Sequence, residues 1–189
     1  HAEDGIRAVE RSRGLVMCIR DSYNLPQSTG VEVTPELMKK ISDEVPQLAG
    51  LKHSSVNFAN VREWKKMGLN CFIGSSMLML PALTIGAVGC IDGPPCAAPE
   101  LWVDIWKSWK SGEIDQAIAA QDRASSFTDI MRETGVHSGT KAVLTERLGI
   151  DCGSGRLPNP PLEGTRRTEV LSRVSAMGIG PVPIPSAGD

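Results

Sequence analysis

Apolar and polar positions alternate along the first half of the chain in blocks that predict strands followed by helices. Between residues 23 and 91, short apolar runs end in polar loops, and each loop leads into a segment with apolar residues at helical spacing. This succession occurs four times with short connections, which is typical of parallel strands joined by crossover helices. The predicted strands end at Tyr23, Lys52, Ile73 and Ile91.

The helices between these strands have start signals of different strength. Thr34-Pro35-Glu36 combines a capping hydroxyl, a proline at the first helical position and an acid in the first turn. Asn57 is the predicted cap of the next helix, and Met77–Ile85 is the third predicted helix.

Neither a GxGxxG nor a Walker A loop follows any of the strands, which argues against nucleotide binding. The pattern therefore favours part of a (β/α)8 barrel.

After the fourth strand the pattern is helical throughout. Helices are predicted from Pro99 to Gly112 and over Ile114–Arg132, Thr140–Leu148 and Thr165–Met177. The first of them carries Trp102, Ile105, Trp106 and Trp109 at a spacing that predicts a buried core face. Gly153–Pro161 is predicted to be a connection, and residues 178–189 have too little apolar content for a core.

Residues 1–22 fit this organisation least well. A charged segment, 1–13, precedes the apolar strand candidate Gly14–Ile19, which Arg20-Asp21-Ser22 interrupts. The string MCIRDS resembles translated sequencing-adapter sequence, so we interpret this end as an atypical segment that is not native. The predicted domains are an atypical segment (1–22), part of a barrel (23–110), a helical domain (111–177) and a flexible tail (178–189).

Composition excludes several classes of partner. A net charge of −2 in 189 residues indicates neither a nucleic acid nor an anionic membrane as partner. No apolar stretch approaches the ~18 residues of a membrane span, and no signal-peptide pattern opens the chain. The five cysteines are an odd number, which favours reduced thiols in a cytoplasmic protein. The cysteines lack zinc-ligand spacing and the histidines are scattered, so no metal site is predicted.

Lys52 is the candidate nucleophile. It ends an apolar run, Leu48–Leu51, so partial desolvation would favour the neutral amine that attacks carbonyl carbons. The alternative is a strand-end lysine whose ammonium group simply reaches solvent. In barrels the chemistry lies at the carboxyl ends of strands, and neighbouring strands are ~4.8 Å apart, so Tyr23 and Lys52 could share one small substrate.

Four motifs together resemble a known enzyme family. They are, in chain order, Tyr23-Asn24-x-Pro26-x-x-Thr29-Gly30, Gly50-x-Lys52, Phe72-x-Gly74 and Gly89-x-Ile91. With these motifs the chain resembles the dihydrodipicolinate synthase/N-acetylneuraminate lyase family, the class I pyruvate-dependent aldolases. The resemblance runs from about Tyr23 to Met177, and it implies strands five to eight of a (β/α)8 barrel followed by a C-terminal helical domain.

The resemblance also implies roles for individual residues. Lys52 would form the Schiff base with pyruvate or a 2-oxo acid sugar, and Tyr23 would relay protons. The main-chain carbonyl of Ile91 would face the substrate, and Thr29 would shape the loop beneath it. The implied partners are pyruvate and an aldehyde, with no metal or organic cofactor and a homo-oligomeric full-length form. Three further residues, His53, Ser54 and Ser75, are either replacement substrate contacts or helix caps.

The chain departs from the family pattern at three points. Ser28 stands where dihydrodipicolinate synthases carry a carboxylate-gripping arginine, Ser76-Met77 where sialic acid lyases carry an Asp-Glu pair, and Gly93 where those lyases carry a serine. The family's first four βα units, with the Gly-Thr-Thr segment that holds the pyruvate carboxylate, have no counterpart. The sequence thus predicts the C-terminal portion of an aldolase, inactive by itself. The alternatives are an imine-dependent hydratase, dehydratase or decarboxylating member of the family and a non-catalytic binding or scaffold protein.

Overall fold

The computed structural model describes residues 20–182. The chain divides into two compact units, His1–Ile91 and Asp92–Asp189. The predicted segment 1–13, the strand candidate Gly14–Ile19 and residues 183–189 of the predicted tail lie outside the described residues.

The first unit is built on a parallel sheet. Its strands are β1 (Asp21–Asn24), β2 (Gly50–His53), β3 (Asn70–Ile73) and β4 (Gly89–Cys90), and they lie side by side in that order. Every neighbouring pair is parallel. The parallel sheet predicted from the strand–helix alternation is therefore confirmed.

Short helices connect the strands. They are α1 (Pro26–Thr29), α2 (Pro35–Glu44), α3 (Val61–Lys66) and α4 (Met79–Ile85), with 3-10 turns at Phe58–Asn60 and Ser76–Leu78. The predicted start of α2 is confirmed, because Thr34 Oγ1 accepts a hydrogen bond from the Leu37 backbone N–H at 3.3 Å. The core of this unit lies between one face of the sheet and these helices, and it contains Met38, Leu51, Val61, Trp64, Cys71, Ile73 and Ala82.

Three local predictions for this unit were wrong. Asp21 and Ser22 do not interrupt a strand but belong to β1, because their backbones pair with Gly50 and Leu51 whatever the polarity of their side chains. β2 continues through His53 instead of ending at Lys52. Asn57 makes no side-chain cap and precedes a 3-10 turn, so α3 begins only at Val61.

The second unit is helical. It contains a 3-10 turn at Pro94–Cys96 and the helices α5 (Pro99–Lys110), α6 (Ile114–Glu133), α7 (Val136–Leu148) and α8 (Gly164–Ala176). The compact units divide after Ile91, which places α5 in the same unit as these helices. The boundary between barrel and helical domain at residue 110 stays a prediction. Among the described residues, no helix is both long and apolar enough to cross a membrane.

The tryptophan face of α5 is only partly buried. Trp102 and Ile105 are buried, but Trp106 is 36% exposed and Lys110 Nζ lies 5.5 Å from the centroid of its ring. The core face of the helix is instead Leu101, Trp102 and Ile105. The expectation that all four positions of the stripe form a core face was therefore wrong at Trp106.

Residues 178–182, the part of the predicted tail that the structure describes, contact α7. Ile179 is buried, and the side chain of Arg147 donates from Nε to the Gly180 carbonyl at 3.0 Å. Arg147, itself buried in α7, also pairs with Glu100 at the start of α5 through an Nη2–Oε1 distance of 2.6 Å. This ionic and hydrogen-bonding anchor stabilises the segment in spite of its low apolar content.

Candidate active site

The two faces of β2 have different environments because successive side chains of a strand point to opposite sides. Leu51 and His53 are fully buried on the helix-covered face. Lys52, between them, points to the other face, where its register partners are Tyr23 on β1 and Phe72 on β3. Lys52 and Phe72 are half-buried and Tyr23 is 46% exposed, so a small molecule can reach this row of side chains.

Lys52 and Tyr23 lie against each other at the carboxyl ends of their strands. The Lys52 Nζ atom is 4.3 Å from the centroid of the Tyr23 ring, close enough for an attraction between the ammonium group and the ring face. The Ser54 hydroxyl donates to the Tyr23 hydroxyl at 3.4 Å. An amine, a phenol and a hydroxyl thus occupy one accessible corner of the sheet.

No carboxylate of the described residues pairs with Lys52. An adjacent carboxylate would occupy the hydrogen-bonding positions of the amine. The arrangement can therefore present the amine to a carbonyl carbon while the neighbouring phenol donates or accepts a proton.

Behind this corner lies a buried polar network. The Asn24 amide nitrogen donates to His53 Nδ1 at 3.2 Å and to Glu32 Oε1 at 3.0 Å, and its oxygen accepts the Val33 N–H at 3.1 Å. His53 Nε2 lies 3.1 Å from the Asn57 carbonyl oxygen. Since an amide N–H can only donate and a carbonyl can only accept, His53 is assigned as the neutral tautomer with its proton on Nε2.

His53 is not a substrate contact. Its side chain has no exposed surface and both ring nitrogens are engaged inside the unit, with the Trp64 ring 5.9 Å away in an edge-to-face arrangement. The prediction went wrong because β2 continues through this residue, which turns its side chain toward the helices.

Sequence reasoning gave no role to Glu32 or Asn24. Glu32 lies eight positions after Asn24 and accepts hydrogen bonds from Asn24 and, at 2.8 Å, from the Ser55 hydroxyl. Desolvation opposes the charged form of Glu32, but hydrogen bonds from Asn24, Ser55 and Asn57 outweigh it and hold the pKa of this carboxyl below its usual value. The one available signal was Asn24 itself, a polar residue directly after the Tyr23 position.

Acid is expected to destabilise this unit. Burial lowers the pKa of His53 below its ordinary 6.5, so the stability due to the neutral ring is present above pH 6.5 and is lost as the pH falls toward the folded-state value. The lowered pKa of Glu32 adds a second loss, beginning below its ordinary 4.5. Urea midpoints measured from pH 7.5 downward should show the first loss in the wild type and not in His53→Gln. Equal pH slopes for the two proteins would contradict this prediction.

The remaining predicted residues follow the carboxyl ends of the four strands. Thr29 closes the loop after β1, since its one O–H is shared between the Leu25 and Val31 carbonyl oxygens, each 3.1 Å away, and its oxygen accepts the Val31 N–H. Gly30, which follows, has the positive φ of 70° that favours glycine. The Ile91 N–H donates to the Ile73 carbonyl at 2.9 Å, which holds Ile91 at the carboxyl end of β3.

Ser54 and Ser75 follow β2 and β3 and are half-buried. The Ser54 side chain lies beside Gly74, where an added Cβ would be 1.8 Å from its hydroxyl oxygen. The Ser54 carbonyl accepts from the Gln27 amide at 3.0 Å. Ser75 makes no side-chain cap, although it precedes the turn at Ser76–Leu78.

Within residues 20–182, no group of three or more His, Cys, Asp and Glu side chains is arranged to hold a metal ion.

Comparison with known proteins gives a consistent result. The sequence profile of the "Dihydrodipicolinate synthetase family" matches residues 7–177. A 4-hydroxy-tetrahydrodipicolinate synthase of Methanopyrus kandleri is 35% identical over 98 residues, which are 50% of this chain and 33% of that protein. An uncharacterised DapA-like lyase of Halobacterium salinarum is 29% identical over 181 residues, which are 93% of this chain and 59% of that protein. The chain thus spans about half the length of the curated relatives it matches.

Solved structures share the fold. The sialic acid aldolase of Ruminococcus gnavus superposes with a TM-score of 0.76 at 25% identity, over 83% of this chain and 53% of that one. A variant of the 2-keto-3-deoxygluconate aldolase of Sulfolobus solfataricus superposes with a TM-score of 0.73 at 23% identity, over 84% of this chain and 53% of that one. Together with the profile match over most of its length, this shows that the chain belongs to the dihydrodipicolinate synthetase family.

Proposed function

We propose that Lys52 forms an imine with pyruvate or a related 2-oxo acid, and that the chain supplies the Schiff-base part of a class I aldolase site. The observation that carries the proposal is the pairing of Tyr23 with Lys52 in register, with Nζ 4.3 Å from the phenol ring at an accessible strand end. Membership of the dihydrodipicolinate synthetase family also supports the proposal, because a 4-hydroxy-tetrahydrodipicolinate synthase and a sialic acid aldolase are among the proteins similar to this chain.

The proposed reaction begins with attack of the neutral Lys52 amine on the ketone carbon. The resulting carbinolamine loses water to form the imine, and the Tyr23 hydroxyl delivers the proton that the departing hydroxide needs. In the cleavage direction, the electron pair of the broken C–C bond moves into the protonated imine and gives an enamine, while the substrate hydroxyl loses its proton and becomes the aldehyde. Protonation of the enamine carbon and hydrolysis return pyruvate and Lys52.

We assign β1–β4 to strands five to eight of a (β/α)8 barrel. All four strands are parallel and adjacent, and the candidate residues lie at or just beyond their carboxyl ends, where barrel enzymes carry their chemistry. The face that carries Tyr23, Lys52 and Phe72 would then be the inner face of the barrel. The helices packed on the opposite face would belong to its outer ring.

The proposal is tested without knowledge of the aldehyde by exchange of the pyruvate methyl protons in D2O. An imine that equilibrates with its enamine exchanges these protons for deuterium, and proton NMR follows the loss of the methyl signal. The exchange should be catalysed by the full-length protein, by which we mean one in which these strands are part of the complete proposed barrel. Exchange no faster than with a Lys52→Arg variant would contradict the proposal.

The departures from the family pattern predict substrate preference. Ser28, exposed in α1, cannot form the two-pronged contact that arginine makes with a carboxylate, and Ser76-Met77 provides no acidic pair. Loss of a charge-assisted contact costs ~1.5–3 kcal/mol, which corresponds to roughly ten- to a hundredfold in specificity. Neither aspartate semialdehyde nor sialic acid should therefore be the preferred substrate. We expect kcat/KM for both to fall below that for a neutral aldehyde tested with pyruvate, and a preference for either compound would refute this prediction.

We further propose that the 189 residues by themselves have no aldolase turnover. In the described sheet β1 and β4 are the edge strands, and unpaired strand edges favour association. A complete (β/α)8 barrel takes ~200 residues or more. Size-exclusion chromatography with light scattering should show self-association, and pyruvate release from 2-oxo acid sugars should stay at background. A monodisperse monomer with turnover would contradict this prediction.

A further inference from the structure

Directly behind the candidate amine and phenol, a side-chain hydrogen bond joins β1 to β2. Asn24 follows Tyr23 and His53 follows Lys52, and the two are register partners on the buried face of the sheet. Their side chains meet through the Asn24 Nδ2–His53 Nδ1 contact of 3.2 Å, and neither residue has any exposed surface. The two strand ends are thus joined on one face by this bond, while the reactive groups lie on the other.

The hydrogen-bonding groups around this contact favour one arrangement. The Asn24 amide has two N–H groups, and its two shortest contacts, to Glu32 Oε1 at 3.0 Å and to His53 Nδ1 at 3.2 Å, use both, while the Val33 carbonyl oxygen is further away at 3.4 Å. Its oxygen is used by the Val33 N–H, which prevents the amide from turning over. His53 Nε2–H is used by the Asn57 carbonyl, which leaves Nδ1 as the acceptor.

We propose that the Asn24–His53 bond is a positioning device that holds Tyr23 and Lys52 in reactive proximity. The inference rests on the proposed function of Lys52. Each strand has only four residues, so the backbone ladder between them is short. Just beyond this ladder, the Ser54 N–H donates to the Asn24 carbonyl at 2.9 Å and joins the ends of β2 and β1. The Gly74 N–H donates to the His53 carbonyl at 2.8 Å and joins the ends of β3 and β2. A buried side-chain bond at this point prevents the ends of β1 and β2 from sliding past each other or separating. It thereby keeps the Lys52 amine and the Tyr23 phenol at a fixed distance.

The device requires a neutral imidazole. A proton on Nδ1 would place an N–H group against the Asn24 amide N–H and break the bond between the strands. Burial disfavours that proton and lowers the pKa of His53, although the Asn57 carbonyl and the charge of Glu32 act in the opposite direction. The ring of Trp64 on α3 lies on the helix side of the imidazole and offers it no charge.

Two substitutions of His53 separate positioning from packing. In His53→Asn the amide oxygen is bonded to Cγ, just as Nδ1 of the histidine is. Asparagine therefore keeps a hydrogen-bond acceptor in the position that faces Asn24. In His53→Gln the amide lies one bond further out, where it can reach the Asn57 carbonyl but does not reproduce the acceptor for Asn24. Glutamine fills more of the histidine volume than asparagine does, so a role in packing alone predicts that His53→Gln is the better variant. His137→Gln, at an exposed histidine of the second unit, is the matched control.

The experiment measures, in the full-length protein, the rate at which borohydride traps pyruvate on Lys52, together with the urea midpoint of each variant. We expect His53→Gln to be slower than the wild type by roughly ten- to a hundredfold, as for a small displacement of reacting groups. His53→Asn should be faster than His53→Gln although it is the less stable variant, and His137→Gln should match the wild type.

Other results would overturn the positioning role. One such result is a trapping rate that follows side-chain volume, with His53→Gln faster than His53→Asn. Another is a rate equal to the wild type in both variants. Either result would show that the bond does not position Lys52. A wild-type protein that traps no pyruvate would overturn the proposed function together with this inference. Independently of the variants, imidazole 15N shifts of the wild type should show His53 protonated on Nε2 alone, and the Nδ1–H tautomer would contradict the proposal.

Discussion

Replacement of Lys52 by arginine is expected to reduce turnover of the full-length enzyme by roughly three orders of magnitude or more, because no covalent intermediate can form. Arginine keeps the positive charge and its attraction to the Tyr23 ring, but its guanidinium stays protonated and does not attack a carbonyl. Exchange of the pyruvate methyl protons is the measurement, with circular dichroism to verify that the variant is folded.

Lys39→Arg is the matched control for this substitution. Lys39 is exposed on α2 and pairs with Asp43 at 2.8 Å, away from the strand ends. Its replacement should leave the exchange rate unchanged. Exchange by Lys52→Arg at the wild-type rate would show that another group forms the imine or that no imine is needed.

Tyr23→Phe is expected to lower kcat by roughly 10²- to 10⁴-fold, the usual contribution of one positioned proton-transfer group. Phenylalanine retains the ring that lies 4.3 Å from Lys52 Nζ, so the substitution removes the hydroxyl alone. The effect should appear in kcat more than in KM, because the hydroxyl acts on steps that follow binding.

Two further variants locate the effect at the hydroxyl. Ser54→Ala removes the hydroxyl that donates to the phenol and should cause a smaller loss than Tyr23→Phe. Tyr23→Leu removes the ring as well and should be at least as slow as Tyr23→Phe. If Tyr23→Phe keeps the wild-type kcat, the phenol does not relay protons.

The sequence was sufficient to place Lys52 beside Tyr23. The period of the apolar pattern identifies parallel strands, and parallel strands bring their carboxyl ends to one edge of the sheet. Because the sheet register pairs Tyr23 with Lys52, the two predicted residues meet although they lie on different strands. Asn70–Ile73 was predicted to the residue, since its apolar run, Cys71–Ile73, follows the polar Asn70 and ends at Gly74.

The polar network behind the site was not predictable in the same way. Asn24 binds Glu32 eight positions later and His53 twenty-nine positions later, and neither separation corresponds to a strand or helix period. The role of His53 depended on whether β2 ends at Lys52 or one residue later, and one residue reverses the face to which a side chain points. Trp106 shows the same limit in a helix, since its spacing fits the core face and yet it is partly exposed.

The central claim is tested most directly by borohydride reduction of the full-length protein in the presence of pyruvate, followed by mass mapping of its peptides. Reduction converts an imine into a stable carboxyethyl-lysine. We predict this adduct on Lys52, whose amine is accessible beside Tyr23, and none on Lys141, whose Nζ donates to the Cys152 carbonyl at 2.6 Å. An adduct on Lys141 or another lysine, with Lys52 unmodified, would contradict the assignment of Lys52 as the Schiff-base residue.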